Sequence, residues 1–265
     1  MSHYETLTFD AADGVATLTL NRPQAANGFN EPMMRELALV AARCDDDPTL
    51  KAVILTGAGK FFSAGGDLKG MAEAGDARGA YVKRLAHHLH RAIATFASMD
   101  LPLIVAVNGM AAGGGFSLAL ASDIRITGES AKMNAAYIKI GLTGCDMGSS
   151  YFLPRLVGTS VAAELMLTGR FIHAERALAT GLVSEVVAQD KLGDAVKPYL
   201  KEMLTTSPMG LRLTKEGLNM AIDANSLESA MAIENRNQIL CSQTQDAKEG
   251  MTAFLEKRDP VYTGR

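Results

Sequence analysis

Two short apolar runs, Ala52-Val-Ile-Leu-Thr56 and Leu103-Ile-Val-Ala-Val107, each lead straight into a glycine-rich segment. A strand with scarcely a polar alternate position has no face to offer water, so it belongs in a sheet covered on both sides. Helices supply such covers, and the sequence between the runs reads as a long helix over 79–97. Ile124-Arg-Ile126 reads as a further short strand. Upstream, Tyr4–Phe9 and Val15–Leu20 alternate around Asp13-Gly14, a hairpin turn. Asn30 with Pro32 just behind it predicts a helix start, with Met33, Met34, Leu37 and Val40 as its apolar stripe. The expected fold class is α/β. Beyond Gly181-Leu-Val183 the pattern turns helical over 190–204, 210–221, 227–243 and 246–258, with no further strand expected.

The glycine-rich segments are Gly57-Ala-Gly-Lys-Phe-Phe-Ser-Ala-Gly-Gly-Asp-Leu68 and Asn108-Gly-Met-Ala-Ala-Gly-Gly-Gly-Phe-Ser-Leu-Ala-Leu-Ala-Ser-Asp123. Glycine lets backbone approach backbone or ligand closely and leaves N–H groups open to an acceptor. Gly113-Gly-Gly115 runs into an apolar helix, so its N–H groups stand at a positive helix end. Three readings follow. The glycines can serve tight strand-to-helix packing alone. A nucleotide site is the second, but neither segment matches G-x-G-x-x-G or G-x-x-x-x-G-K-[ST]. A serine nucleophile is the third, since Gly115-Phe-Ser-Leu-Ala119 approaches G-x-S-x-G. Its last position is alanine, and the only later histidine, His173, precedes a helix start at Ala174 as a surface or cap residue.

The formal net charge of -3 over 265 residues gives no reason to expect nucleic acid or an anionic membrane as partner. No apolar run reaches the ~20 residues of a membrane helix. Cys44, Cys145 and Cys241 fit no metal pattern and read as reduced thiols of a cytoplasmic protein. The opening Met1–Asp10 has neither the basic nor the apolar region of a secretion signal. No metal and no separate cofactor is expected.

In order and spacing the chain resembles the crotonase, or enoyl-CoA hydratase/isomerase, superfamily. The likeness runs through Asn21-Arg-Pro23, Phe62-Ser-Ala-Gly-Gly-Asp-Leu68, Ala106-Val-Asn-Gly109, Gly113-Gly-Gly115 and Ala121-Ser-Asp-Ile124. It continues in Ile140-Gly-Leu142, Leu153-Pro-Arg-Leu-Val-Gly158, Leu167-Thr-Gly-Arg170, Ala179-Thr-Gly-Leu-Val183 and Gly250-Met-Thr-Ala-Phe-Leu-Glu-Lys-Arg258. The resemblance implies a crotonase-type spiral of repeated β-β-α units over 1–195, holding the acyl-CoA site. A helical C-terminal region over 196–265, used in trimerisation, would follow, giving a homotrimer or a dimer of trimers. It also implies an oxyanion hole for the thioester enolate, with Gly66 and Gly114 as backbone donors. Its CoA contacts fall on Ala25 and Ala26, on Ala64, Asp67 and Leu68, and on Phe254 and Lys257, the last of these reaching a phosphate from an adjacent subunit. Gln24 stands where many relatives carry a lysine or arginine. Asp67 can equally cap the turn before Leu68, and Lys257 can be a solvated charge.

The chain departs from hydratases of that family at both glutamate positions, which are Ser117 and Tyr137 here. A positioned acid or base contributes ~10²–10⁴ in rate, so losing both weakens the hydratase reading. Ser117 and Tyr137 either line the pocket or hold water or acyl group by hydrogen bonds. One carboxylate remains nearby, Asp146 in Gly141-Leu-Thr-Gly-Cys-Asp-Met-Gly148, matching the aspartate of dienoyl-CoA isomerases if one extra loop residue is accepted. Isomerisation needs one base that moves a proton between two carbons. An apolar setting beside Cys145 and Met147 would strengthen Asp146 in that role. The alternative for Asp146 is a helix N-cap. Double-bond isomerisation is thus favoured over hydration. A hydratase proper, a non-catalytic acyl-CoA-binding relative and a thioester hydrolase are the alternatives.

Overall fold

The structure, a computed structural model, describes residues 4–265, so Met1–His3 of the opening stretch lie outside the described residues. The hairpin strands β1 (Leu7–Ala12) and β2 (Val15–Leu20) pair antiparallel through Asp13 and Gly14, both at positive φ. Helix α1 (Glu31–Asp46) starts where expected: Asn30 accepts the Met33 N–H at 3.1 Å.

Three β-β-α units follow. The first is β3 (Ala52–Gly57), β4 (Phe61–Ser63), α2 (Leu68–Glu73) and α3 (Arg78–Ser98). The second is β5 (Leu103–Val107), β6 (Met110–Ala112) and α4 (Gly114–Leu120). The third is β7 (Ile124–Gly128), β8 (Lys132–Asn134) and α5 (Ser149–Thr168), reached through a 3-10 turn over Ala136–Ile140. In each unit the first strand joins one sheet and the second joins another. The larger sheet runs β1-β2-β3-β5-β7 and, from β2 onward, is parallel. The smaller one pairs β4, β6 and β8 in parallel and ends on β9 (Ile172–His173). This is the repeated β-β-α architecture expected.

Burial explains the apolar runs. In β5, Leu103, Val105 and Val107 enter the main core with α1 and α3, while Ile104 and Ala106 face a second apolar cluster. That cluster is closed by Leu192 and Val196 of α7 (Leu192–Leu204). The strand alternates, but both of its faces are dry.

One expectation needs correction. A strand does occur beyond Val183: β10 (Glu185–Val187) pairs parallel with β7 and completes the six-stranded sheet, after α6 (Ala174–Ala179). At three residues it is too short to show a period. Helix α5 is broken at Gly158, whose φ of 75° and ψ of 162° are not helical. The C-terminal helices are α8 (Pro208–Ala221), α9 (Leu227–Ser242) and α10 (Gln245–Glu256), and residue 195 itself falls inside α7. Leu218, Leu227, Phe254 and Leu255 of these helices are largely exposed. No helix among the described residues is long and apolar enough to cross a membrane.

Lys215 fastens α8 to the core. Its side chain is 7% exposed, and Nζ lies 2.9 Å from Asp123 Oδ2 and donates to the Leu101 and Phe96 carbonyls at 2.8 and 3.2 Å. Asp123 also accepts the Leu103 N–H at 2.7 Å, so the pair ties α8 to the start of β5. Lys215→Met keeps the apolar stem but strands a carboxylate. We expect it to lower the unfolding free energy by about 3 kcal/mol, measured by urea titration, since breaking a buried pair costs roughly 3–5.

Candidate active site

The two glycine segments meet edge to edge. The loop after β4 runs beside residues 26–29: Ala64 N–H donates to Ala26 O at 2.9 Å, Phe29 N–H to Gly65 O at 2.7 Å and Asp67 N–H to Phe29 O at 3.1 Å. Asn27, wholly buried, holds the turn by donating to the Ala58 and Phe61 carbonyls at 2.9 and 2.7 Å. Ser63 Oγ donates to Asn27 O at 2.8 Å and accepts from Gly65 N–H at 3.1 Å. A Cβ on Gly65 would stand 2.5 Å from Ala112 O and 3.1 Å from Gly114 N, and one on Gly115 would stand 2.6 Å from Ser63 Cβ. Only glycines permit this contact. It brings Gly66 and Gly114 to adjoining strand ends, and among the described residues neither N–H has a hydrogen-bond acceptor.

A cavity of about 330 Å³ opens here. Of the residues singled out in the sequence, Ala25, Ala64, Gly66, Asp67, Leu68, Tyr137 and Asp146 line it. Ala26, Gly114 and Ser117 do not: Ala26 adjoins Ala25 in a left-handed conformation, Gly114 stands behind Gly113, and Ser117 is wholly buried below. Phe254 and Lys257 lie apart from this cavity, Phe254 exposed on α10 and Lys257 at its left-handed end. The far wall comes from α3, through Val82, Leu85 and Ala86. Asp67 caps α2, accepting the Lys69 and Gly70 N–H groups at 3.1 and 3.2 Å, so it is both cap and wall.

Ser117 and Tyr137 are partners of each other. Their oxygens are 2.9 Å apart, and Ser117 Oγ donates to the Asp146 carbonyl at 3.1 Å. A carbonyl only accepts, so the single serine proton is spent on it and the tyrosine must donate to the serine. Burial pushes the Tyr137 phenol up from its ordinary value, partly offset by its bond to Ser117, with Asp146 adding to the rise. It therefore stays protonated as a donor. The serine-nucleophile reading ends here, because no histidine is a partner of Ser117, and His173 is an exposed residue preceding α6.

Asp146 is not a helix cap. Helix α5 starts at Ser149 after a left-handed Gly148. The apolar enclosure expected around Asp146 is absent too: Cys145 is exposed, and the aspartate side chain keeps 33% of its surface. Its carboxylate accepts the Met147 N–H at 2.8 Å and faces His90 Nε2 at 3.3 Å, both at Oδ1. Among the described residues Oδ2 has no partner. His90 carried no signal in the sequence, being one of three histidines in Ala86-His-His-Leu-His-Arg91, 56 residues from Asp146. No group of three metal-ligating side chains occurs among the described residues.

A family model described as enoyl-CoA hydratase/isomerase matches residues 10–265. The chain belongs to the enoyl-CoA hydratase/isomerase family. It is 39% identical over 256 residues to the 1,2-epoxyphenylacetyl-CoA isomerase of Escherichia coli, covering 95% of this chain and 96% of the relative. It is 36% identical over 263 residues to the crotonyl-CoA hydratase of Syntrophomonas wolfei, covering 99% of each. The crystal structure of an enoyl-CoA hydratase from Bacillus anthracis superposes with a TM-score of 0.93 at 32% identity, over 98% of this chain and 100% of that one. The protein is thus an enzyme of the enoyl-CoA hydratase/isomerase family, and an acyl-CoA substrate fits that membership.

The glycine contact makes a direct prediction for this family member. Gly65 sits at a φ of 86°, where alanine is strained before its methyl reaches the Ala112 carbonyl. Gly65→Ala should cost about 2 kcal/mol or more in stability, read by thermal unfolding, and should reduce acyl-CoA binding in parallel.

Proposed function

We propose that the enzyme moves a double bond within an enoyl-CoA thioester, with Asp146 as the single base and the Gly66 and Gly114 N–H groups as the oxyanion hole. The observation that carries this is the partnerless Oδ2 of a carboxylate lining the same cavity as Gly66. Met147, the next residue, comes within 3.2 Å of a Cβ on Gly114, so the aspartate and the second donor are neighbours.

The chemistry divides simply. The thioester oxygen accepts from the two backbone N–H groups, which stabilise the negative charge that develops when the carbon beside the carbonyl loses its proton. A single donor of this kind is worth ~3 to 4 kcal/mol in the transition state. Asp146 takes that proton and returns it two carbons along. Hydration asks for more: a base for water and an acid for carbon. Ser117 and Tyr137 stand at the two positions where the resemblance places those tasks; here the tyrosine proton goes to the serine and the serine proton to the Asp146 carbonyl. The relatives carry both kinds of name, a 1,2-epoxyphenylacetyl-CoA isomerase and a crotonyl-CoA hydratase, so the preference rests on the site's own residues.

Residues Ala25, Ala26, Ala64, Asp67 and Leu68 form the CoA side of the proposed site, with Phe254 and Lys257 completing it across a subunit boundary. The exposed apolar residues of α8, α9 and α10 support a homotrimer, or a dimer of trimers, in which they are covered. We place the enzyme in the cytoplasm, which its free cysteines support; burial pushes the Cys44 thiol up to about 12, where it is inert.

Paired assays test the reading. With a 3-enoyl-CoA the conjugated-thioester absorbance should appear, and with a 2-enoyl-CoA its loss to hydration should be much slower. Asp146→Asn should lower isomerisation by ~10²–10⁴ while leaving substrate affinity within a few-fold. Undiminished isomerisation by that variant removes Asp146 from the role, and faster hydration than isomerisation by the wild type removes the reaction.

A further inference from the structure

We propose that His90 is the positioning residue for Asp146: it holds Oδ1, leaves Oδ2 for proton transfer, and through its own protonation sets how basic Oδ2 is. The inference rests on Asp146 being the base.

Asp146 forms a wall between two cavities. One is the cavity of the glycine loops; the other, also about 330 Å³, is lined by His90, Ile93 and Ala94 of α3 and by Tyr151 and Phe152 of α5. His90 reaches Asp146 from this second side, and its side chain keeps 52% of its surface. A carboxylate only accepts hydrogen bonds, so His90 Nε2 must carry the proton between them. The Met147 N–H at the same oxygen adds a second donor. Two donors on Oδ1 fix the plane of the carboxylate, and its basicity is then expressed at Oδ2.

On the side of the glycine loops the ionisable groups that share a cavity with Asp146 are Arg22, Asp67 and Tyr137, and the Tyr137 phenol, held up by burial, stays neutral. Around the second cavity the titratable groups are His90, Asp146 and Tyr151. Tyr151 is hydrogen-bonded to Asp223, which raises the phenol further from ionising, and Asp223 is itself paired with Arg155 at 2.6 Å. On α3 the nearby ionisable residues are His87, His88 and Arg91, with the His87 and His88 rings edge to face at 5.7 Å. A neutral His90 donates one hydrogen bond and leaves the carboxylate basic. A protonated His90 adds a full positive charge at 3.3 Å and stabilises the carboxylate, so that it takes a proton from carbon less readily. The rate should therefore be lower whenever His90 carries a charge.

The test is the pH profile of kcat for wild type, His90→Gln and His90→Ala, using whichever enoyl-CoA substrate the wild type turns over. Glutamine keeps an N–H donor and cannot titrate. Its acid limb should lie lower than the wild type's by about one pH unit or more, because imidazoles ordinarily titrate above carboxylates. Alanine removes the donor and should lower kcat by about tenfold to a hundredfold with KM little changed, and glutamine should restore most of that loss. An acid limb in His90→Gln identical to the wild type's overturns the proposal, as does an undiminished kcat in His90→Ala. Asp146→Asn, assayed alongside, separates the two ideas. Full activity there overturns the base itself, whereas an inactive Asp146→Asn beside indifferent His90 variants overturns only the role given to His90.

Discussion

The contact on which this site depends is the passage of one glycine loop against another, at a spacing that admits no Cβ. Gly65 lies against Ala112 O and Gly114 N, and Gly115 lies against Ser63. Neither loop is held by its own hydrogen bonds alone. Asn27 and Ser63 brace the first from beneath, and Asn134 O accepts the Gly113 N–H of the second at 3.0 Å. The two dry strands β3 and β5, paired in register from Val53 with Leu103, deliver the loops to the same end of the sheet. The sheet sets direction, and the missing side chains set distance.

That division of labour explains how one fold accommodates different chemistry. The donors proposed for the thioester oxygen are backbone groups, and their positions depend on glycines and strand pairing. The side chains that face the same place, Ser117, Tyr137 and Asp146, sit on other segments: α4, the 3-10 turn and the loop before α5. In this chain Ser117 and Tyr137 are a hydrogen-bonded pair whose third member is the Asp146 carbonyl.

Much of this was legible in the residues because strong local rules were in force. The Asp13-Gly14 turn, the Asn30 cap and the dry strands each follow from a period or a special dihedral that leaves few alternatives. The β-β-α repeat and the pocket positions came from the ordered resemblance instead, since Gly66 or Ala64 has no local signature of its own. What escaped notice lacked both kinds of signal. Strand β10 is three residues long and is defined by its partner β7. His90 is one of three closely spaced histidines, and only tertiary packing selects it. The apolar surroundings expected for Asp146 failed for a similar reason. Cys145 and Met147 are apolar neighbours in sequence, yet the loop turns Cys145 outward.

The loop from Gly141 to Gly148 shows what a carboxylate carried on a loop demands of its surroundings. Gly141, Met147 and Gly148 all take positive φ, so the segment is a series of tight turns with little regular bonding of its own. Free in solution such a loop would sample many shapes, and a base must be placed to within a fraction of an ångström to act. Three ties restrict it. Gly144 packs where a Cβ would strike the Met166 carbonyl at 2.3 Å, Ser149 and Asp146 exchange hydrogen bonds at 3.0 and 3.2 Å, and Ser117 grips the Asp146 carbonyl from the buried side. The Ser117–Tyr137 pair is therefore more than lining. It anchors the backbone of Asp146, so the placing of that carboxylate depends on the buried pair beneath it.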